Sequence, residues 1–270
     1  MNLDVSAALA LVAVLAFVGL AFWRLLAGRA HGPGRRVVRL GVVLLVAVIL
    51  VGFGAYKLMN ARSFQLLSRQ VAHVTTDQKV VALTVDDGPA GEYVDAVLAD
   101  LKRYQAQGTF FVVGAAAQEN RSALRALIAA GHEIGNHSFT HPRLVFVSTA
   151  TVAREVEATD RVIRSAGYRG PILFRPPFAK RLVSAPYYLW RHGRTTVMWD
   201  IEPDSRAAIA DDPQAMANFV ADTVRPGSIV LLHVWSGGSS TSRAALPLIL
   251  KALTDTGYRV VTVTELLNGT

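Results

Sequence analysis

Thr84-Val85-Asp86-Asp87-Gly88-Pro89 follows directly on Lys79-Val80-Val81-Ala82-Leu83, and the join between these segments decides the fold. The apolar run has the length and β-branched composition of a buried strand. Gly88-Pro89 then stops it and turns the chain. Two adjacent carboxylates therefore stand at the carboxyl end of a core strand. Neighbouring strand residues point to opposite sides, so one Asp is expected to face a metal and the other a reacting water. A simple turn capped by its own Asp side chains fits the same six residues. The other strand ends must decide between the two.

From residue 77 onward, short apolar segments alternate with longer helical ones. Strands are expected over 80–85, 109–113, 132–136, 172–174, 195–199, 228–232 and 258–263. Helices are expected over 93–105, 122–130, 151–166, 213–224 and 242–254, with Gly131 and Gly167 as natural stops. Val94, Val97, Leu98 and Leu101 illustrate the apolar stripe of such a helix. Alternation of this kind implies an α/β fold with a parallel sheet, open or closed into a barrel. Either form places its working site at the carboxyl ends of the strands.

The amino-terminal part is of another kind. The chain has 270 residues, 51% of them hydrophobic, and a mean hydropathy of +0.32. Residues 5–23 and 40–56 are two apolar runs, each near the roughly 20 residues that span a bilayer. Trp23-Arg24 and Tyr56-Lys57 stand at their ends, where the interface favours aromatic and basic groups. Arginines 24, 29, 35, 36 and 39 and a Gly32-Pro33-Gly34 break mark residues 24–39 as a cytoplasmic loop. Two transmembrane helices with both ends outside follow, and the lack of Lys or Arg before Arg24 argues against a cleavable signal peptide. The expected organisation is an integral membrane anchor over 1–57, a tether over 58–76 and an extracytoplasmic catalytic domain over 77–270. Net charge is +8, but the excess is concentrated before residue 58, and no basic stretch is interleaved with aromatics. No nucleic-acid partner is expected. With no cysteines, disulfides and thiolate metal sites are excluded, so a metal would need His, Asp or Glu.

Polar residues fall just after five of the expected strands: Asp86 and Asp87; His137 and His141; Arg175; Asp200 and Asp204; and His233. His137 and His141 are spaced i, i+4, which brings two imidazoles together over one helical turn. With a carboxylate they make a set suited to a divalent transition metal, although spacing alone fits a pair of surface histidines equally well. His233 ends an apolar strand, which suits either a core histidine or a general acid. Arg175, stiffened by Pro176-Pro177, could orient a carboxylate or lie at the surface. His132 reads as structural, and His31, His73 and His192 carry no supporting context.

In this order, T-V-D-D-G-P, H-S-F-T-H, R-P-P-F, W-D-I-E-P-D and L-L-H resemble the motif series of the polysaccharide deacetylases, carbohydrate esterase family 4, over about residues 79–266. The resemblance implies a distorted (β/α) barrel of about seven strands. It makes Asp86 the general base and Asp87, His137 and His141 the metal ligands. Arg175 would hold Asp86, the Phe178 backbone N–H would stabilise the oxyanion, and Leu231 would line the acetyl pocket. His233 would be the general acid, tuned by Asp204, preferred over Asp200 on spacing. Trp199 or Trp235 would flank the acetyl group. Val85 stands where the family usually has Phe, Phe178-Ala179 where it has Tyr-Gly, and the fourth motif lacks its usual D-x-x-D-W form. The implied metal is zinc, with cobalt or manganese as alternatives. The implied reaction is hydrolysis of N-acetyl groups on a polysaccharide, and the membrane location suggests peptidoglycan or another envelope glycan. An O-acetyl ester or small-amide hydrolase and a non-catalytic glycan-binding domain are the alternative readings. Oligomeric state is not readable from the sequence.

Overall fold

A computed structural model describes residues 33–62 and 64–269. The chain divides into two compact units, residues 1–57 and 58–270. In the first, the main described element is helix α1 (Pro33–Asn60), which ends just inside the second unit. Over Arg39–Asn60 its mean hydropathy is 2.4 and none of it is buried, and it is the one helix among the described residues long and apolar enough to cross a membrane. Its 22 residues rise about 33 Å, enough for a hydrocarbon core. The first apolar run, 5–23, lies outside the described residues. The chain is helical from Pro33, so the second half of the expected basic loop is helix. Proline is well tolerated in a first helical turn, which is why Pro33-Gly34 can open a helix here.

The second unit is an α/β layer structure. Strand β1 (Gln70–Val71) is followed by β2 (Val80–Asp86), α2 (Gly91–Arg103), β3 (Thr109–Val112), α3 (Gly114–Glu119), α4 (Arg121–Ala129) and β4 (Glu133–Asn136). Then come α5 (Thr149–Ser165), α6 (Ser184–Arg191), β5 (Thr196–Val197), α7 (Pro213–Thr223), β6 (Ile229–Leu232), α8 (Ser240–Asp255), β7 (Arg259–Val261) and α9 (Val263–Asn268). All strand pairs are parallel: β4–β3–β2–β6, with β7 on the amino half of β2, and β1 on β5. Single bridges carry the pairing further, from Asn136 to Phe174, from Phe174 to Thr196, and from Ile201 to Val230. The hydrogen-bonding thus returns to β6 and closes an irregular parallel ring. The segment expected as strand 172–174 contributes only the Phe174 bridge, because Pro176 and Pro177 lack the N–H that would extend the ladder.

The 58–76 stretch, expected as a tether, adds strand β1 to this unit. All seven residues of β2 are buried, as a parallel strand covered on both faces requires. Val81, Leu83 and Val85 pack outward against the helices with Phe110, Val112, Leu232 and Leu246. Val85 therefore fills a helix-facing position. Val80 and Ala82 point the other way, with Phe111, Ile229, Leu231 and Trp199 in the ring interior. Thr84 and Asp86 share that inward side by parity. The inward side opens at the carboxyl ends of the strands.

Candidate active site

Asp86 closes β2 and is 2% exposed. Arg175, fully buried, donates from Nη1 to Asp86 Oδ1 at 2.7 Å and to Thr84 Oγ1 at 2.8 Å. Its Nε and Nη2 donate to the carbonyls of Val197 and Met198, both at 3.1 Å. The guanidinium also lies 4.1 Å from the centre of the Phe111 ring. Burial lowers the Arg175 pKa, and the Asp86 charge and hydrogen bond offset part of that shift. A buried cation fixed on all sides thus holds one oxygen of Asp86.

Asp87 does not continue the strand. Its φ is 77°, a left-handed geometry that Asp tolerates better than most residues. The alternation expected for neighbouring strand residues therefore fails, and both carboxylates turn towards His137. Nε2 of His137 is 3.6 Å from Asp86 Oδ2 and 3.4 Å from Asp87 Oδ1. Nε2 of His141 is 3.1 Å from the same Asp87 oxygen and 3.2 Å from Nε2 of His137. Burial opposes the Asp87 charge, but the contacts with His137 and His141 outweigh it and hold the carboxyl well below the usual range.

The two histidines do not meet on a helical turn. Residues 137–141 form an irregular loop with Ser138 at φ 65° and His141 at φ 58°. Asn136 and Glu155, neither evident as site residues in the sequence, hold this loop. The Asn136 side chain accepts from the Ser138 N–H at 2.8 Å and donates to Asp160 at 2.7 Å. Glu155 on α5 accepts from the N–H groups of Phe139 and Thr140, each at 2.8 Å. Nδ1 of His137 lies 2.7 Å from the Arg175 carbonyl, so Nδ1 carries the proton and Nε2 presents its lone pair to the site. The Asp87, His137 and His141 ligand atoms are 3.1–3.4 Å apart. A tetrahedral ion with bonds of about 2.0–2.1 Å needs ligand atoms about 3.3 Å apart, so these residues fit a divalent metal.

His233 follows β6 on the far side of the cleft. Asp204 Oδ2 accepts from its backbone N–H at 2.7 Å and lies 3.1 Å from its Nδ1. Burial disfavours the imidazolium, but the Asp204 hydrogen bond and charge, helped by Asp86 and Asp87, push the pKa up to about 9. Asp200 is engaged elsewhere, accepting from the Ile229 N–H at 2.8 Å and from Ser228 Oγ at 3.0 Å.

Asp86, Asp87, His137, His141 and His233 line one cleft of about 290 Å3 together with Phe178, Ala179, Trp199, Glu202, Ser205 and Arg62. Phe178 is left-handed at φ 55° and sets its ring 4.6 Å from that of His141. Trp199 donates from Nε1 to Glu202 at 2.7 Å. Trp235 instead packs in the helix-facing core, beside Phe110. Leu231 lies in the interior cluster with Trp199 and is 1% exposed, one step below His233 on the same face of β6. Arg62 and Glu202 escaped notice in the sequence: the first sits in a stretch without periodicity, the second inside a motif read for its aspartates. A larger hollow of about 380 Å3 between Phe146, Val183 and Tyr187 contains none of the acid, histidine or arginine side chains described above.

Chemistry of this kind has known relatives. Residues 73–197 match the family model for polysaccharide deacetylase. A peptidoglycan-N-acetylglucosamine deacetylase of Bacillus cereus is 34% identical over 195 residues, covering 72% of this chain and 91% of that protein. The crystal structure of a peptidoglycan N-acetylglucosamine deacetylase bound to a naphthyl benzamide derivative superposes with a TM-score of 0.69 at 25% identity, covering 74% of this chain and 94% of that one. A carbohydrate esterase family 4 pseudoenzyme from Bacillus anthracis superposes at 0.67 with 28% identity, covering 75% and 70%. The five ordered motifs, the parallel ring and these relatives lead to one assignment: the chain belongs to the polysaccharide deacetylase family.

Proposed function

We propose that the chain is a metal-dependent hydrolase that removes N-acetyl groups from amino-sugar residues of a cell-envelope glycan and releases acetate. The observation that carries this reading is the meeting of three groups in one cleft: Asp87, His137 and His141 at metal-ligand spacing, Asp86 held by Arg175, and His233 held by Asp204. The first group would hold the metal, for which the mixed imidazole and carboxylate donors favour zinc over harder cations. When bound, a zinc ion supplies Lewis-acid polarisation of the acetyl carbonyl and a more acidic water.

Asp86 takes the proton from the attacking water through Oδ2, its Oδ1 being engaged by Arg175. The new C–O bond forms at the acetyl carbon, and the Phe178 backbone N–H donates to the resulting oxyanion. His233 gives its proton to the sugar nitrogen as the C–N bond breaks, leaving acetate and a free amine. The raised pKa keeps His233 protonated at neutral pH, as an acid requires. Base and acid come from different strand ends and so reach different atoms of one amide. Trp199 and Leu231 would shape the acetyl side of the pocket.

Helix 39–60 is read as a membrane span that keeps the catalytic unit at the outer surface, where an envelope glycan lies. The reading is tested by acetate release from N-acetylglucosamine oligomers and from peptidoglycan, with zinc and with chelator, using Asp86→Ala and His141→Ala as controls. Zinc-dependent release abolished by both substitutions is expected. Release only from an acetylated xylan would instead identify an esterase, and no release by zinc-loaded protein would favour a binding role.

A further inference from the structure

Arg181 is 1% exposed yet has no acidic partner among the described residues. Burial lowers its pKa to about 10. A guanidinium kept in such a place must have its donors satisfied. They go to Ala179 O at 2.9 Å, on the cleft loop, and to Ala61 O at 2.6 Å and Phe64 O at 3.2 Å, on the segment that follows α1. Gln65 Oε1, at 3.3 Å, and Gln70 Oε1 also accept from it, and Gln70 Nε2 in turn donates to Arg62 O at 2.5 Å. Arg181 therefore stitches residues 61–70 to the rim of the cleft. The residue so placed over the cleft is Arg62.

Arg62 Nη2 is 3.0 Å from Glu202 Oε2, and its guanidinium lies 4.8 Å from the centre of the Trp199 ring. Glu202 is nearly saturated, since the same Oε2 accepts from Trp199 at 2.7 Å and Oε1 accepts from Ser205 at 2.6 Å. Glu202 thus serves to aim Arg62. The Arg62 side chain is 52% exposed and lines the cleft, on the side where Glu202 stands within 4.8 Å of Asp204 and His233, so it keeps donors for an acceptor there.

We propose that Arg62, supplied by the segment directly after the apolar helix and fixed by Arg181 and Glu202, is a specificity-determining residue that hydrogen-bonds an oxygen acceptor on the sugar next to the one deacetylated. This rests on the glycan deacetylase reading. The acceptor is a ring hydroxyl in a neutral oligomer or a lactyl carboxylate in a muramic-acid strand. The test compares the full chain, in detergent or nanodiscs, with Arg62→Ala and Arg62→Lys on both glycans. Arg62→Ala is expected to raise KM roughly tenfold, the loss of one charge-assisted hydrogen bond, with kcat within about a factor of two. Arg62→Lys should recover part of the KM change. A larger KM effect on the muramic-acid strand identifies the carboxylate; an equal effect identifies the hydroxyl. Oligomer affinity by calorimetry on the same proteins answers for Arg62 even if the parent releases no acetate, an outcome that would remove the deacetylase reading alone. Unchanged KM and affinity on both glycans, or loss matched by a lowered melting temperature in Arg62→Ala, would overturn the proposal.

Discussion

Asp204→Asn isolates the electrostatic part of the His233 site. Asn retains an oxygen for the His233 backbone N–H, which Asp204 now accepts at 2.7 Å, so the loop keeps its tie. What is lost is the negative charge against Nδ1 at 3.1 Å. Burial, which pushes the imidazole down, remains, while the main influence raising it to about 9 is gone. The charges of Asp86 and Asp87 act from further away and in the same upward direction, and a divalent ion on Asp87 would offset them. The alkaline limb of kcat/KM should therefore move down by roughly two units. At about pH 6 both proteins hold a protonated His233; at about pH 9 the variant is almost wholly neutral while the parent is half charged, so the rate ratio should widen about fiftyfold across that interval. The assay is a pH profile of acetate release at saturating zinc. Parallel profiles with a shared limb would sink the argument, as would a limb moved to higher pH. The linkage has a matching sign. A folded pKa raised above the ordinary value adds stability that is present in full below about pH 6.5 and fades as pH rises through the folded value. Melting temperature should fall less between those limits in the variant, by an amount trimmed by the partial exposure of His233.

Three further outcomes follow from single contacts. Gly88→Ala would put a Cβ 2.3 Å from Cδ1 and Nε1 of Trp235, a buried ring, and should cost about 1–3 kcal/mol by overpacking, seen as a lower denaturant midpoint. Arg175→Met strands the buried Asp86 charge and should cost about 3–5 kcal/mol, with Asp86→Asn in the same chain restoring a large part; equal losses in single and double variants would contradict the pairing. Glu155→Ala frees the 137–141 loop from two backbone bonds and should weaken zinc binding about 10–100-fold in a competition titration, while melting of the zinc-free protein changes little.

Much of this was legible because parallel strands announce themselves. A run such as Val80–Leu83 that is apolar throughout has no solvent side, and the polar residue that ends it has few places to go except the open end of the ring. Asp86, His233 and Arg175 were found on that ground. Distances across the loops were not readable. The i, i+4 spacing of His137 and His141 suggested a helix, but the meeting of their rings depends on left-handed backbone at Ser138 and His141 and on Glu155, far along the chain. The strand alternation applied to Asp86 and Asp87 stopped one residue too late, at a backbone reversal no propensity marks. Ala179 at φ 58° is of the same type: a Gly would have signalled the turn, and an Ala hid it. Arg62 was invisible because its place depends on a buried arginine over a hundred residues away.

The charges of the site, taken pair by pair, explain why Asp87 differs from its neighbours. Asp86 has Arg175 at 2.7 Å, Glu202 has Arg62 at 3.0 Å, and Asp204 has a His233 whose pKa lies near 9. Each of these carboxylates is matched by a cation from the chain itself. Asp87 is in contact with His137 and His141, with the His233 charge acting from further away, and the proton on Nδ1 of His137 is committed to the Arg175 carbonyl. Two imidazole nitrogens 3.2 Å apart, both turned towards one carboxylate oxygen, put three donor atoms at one place. A divalent ion would use all three lone pairs at once and add positive charge against Asp87. Zinc should therefore raise the melting temperature of the parent in a concentration-dependent way and do so far less in His141→Ala, because only the intact trio offers the full set of donors.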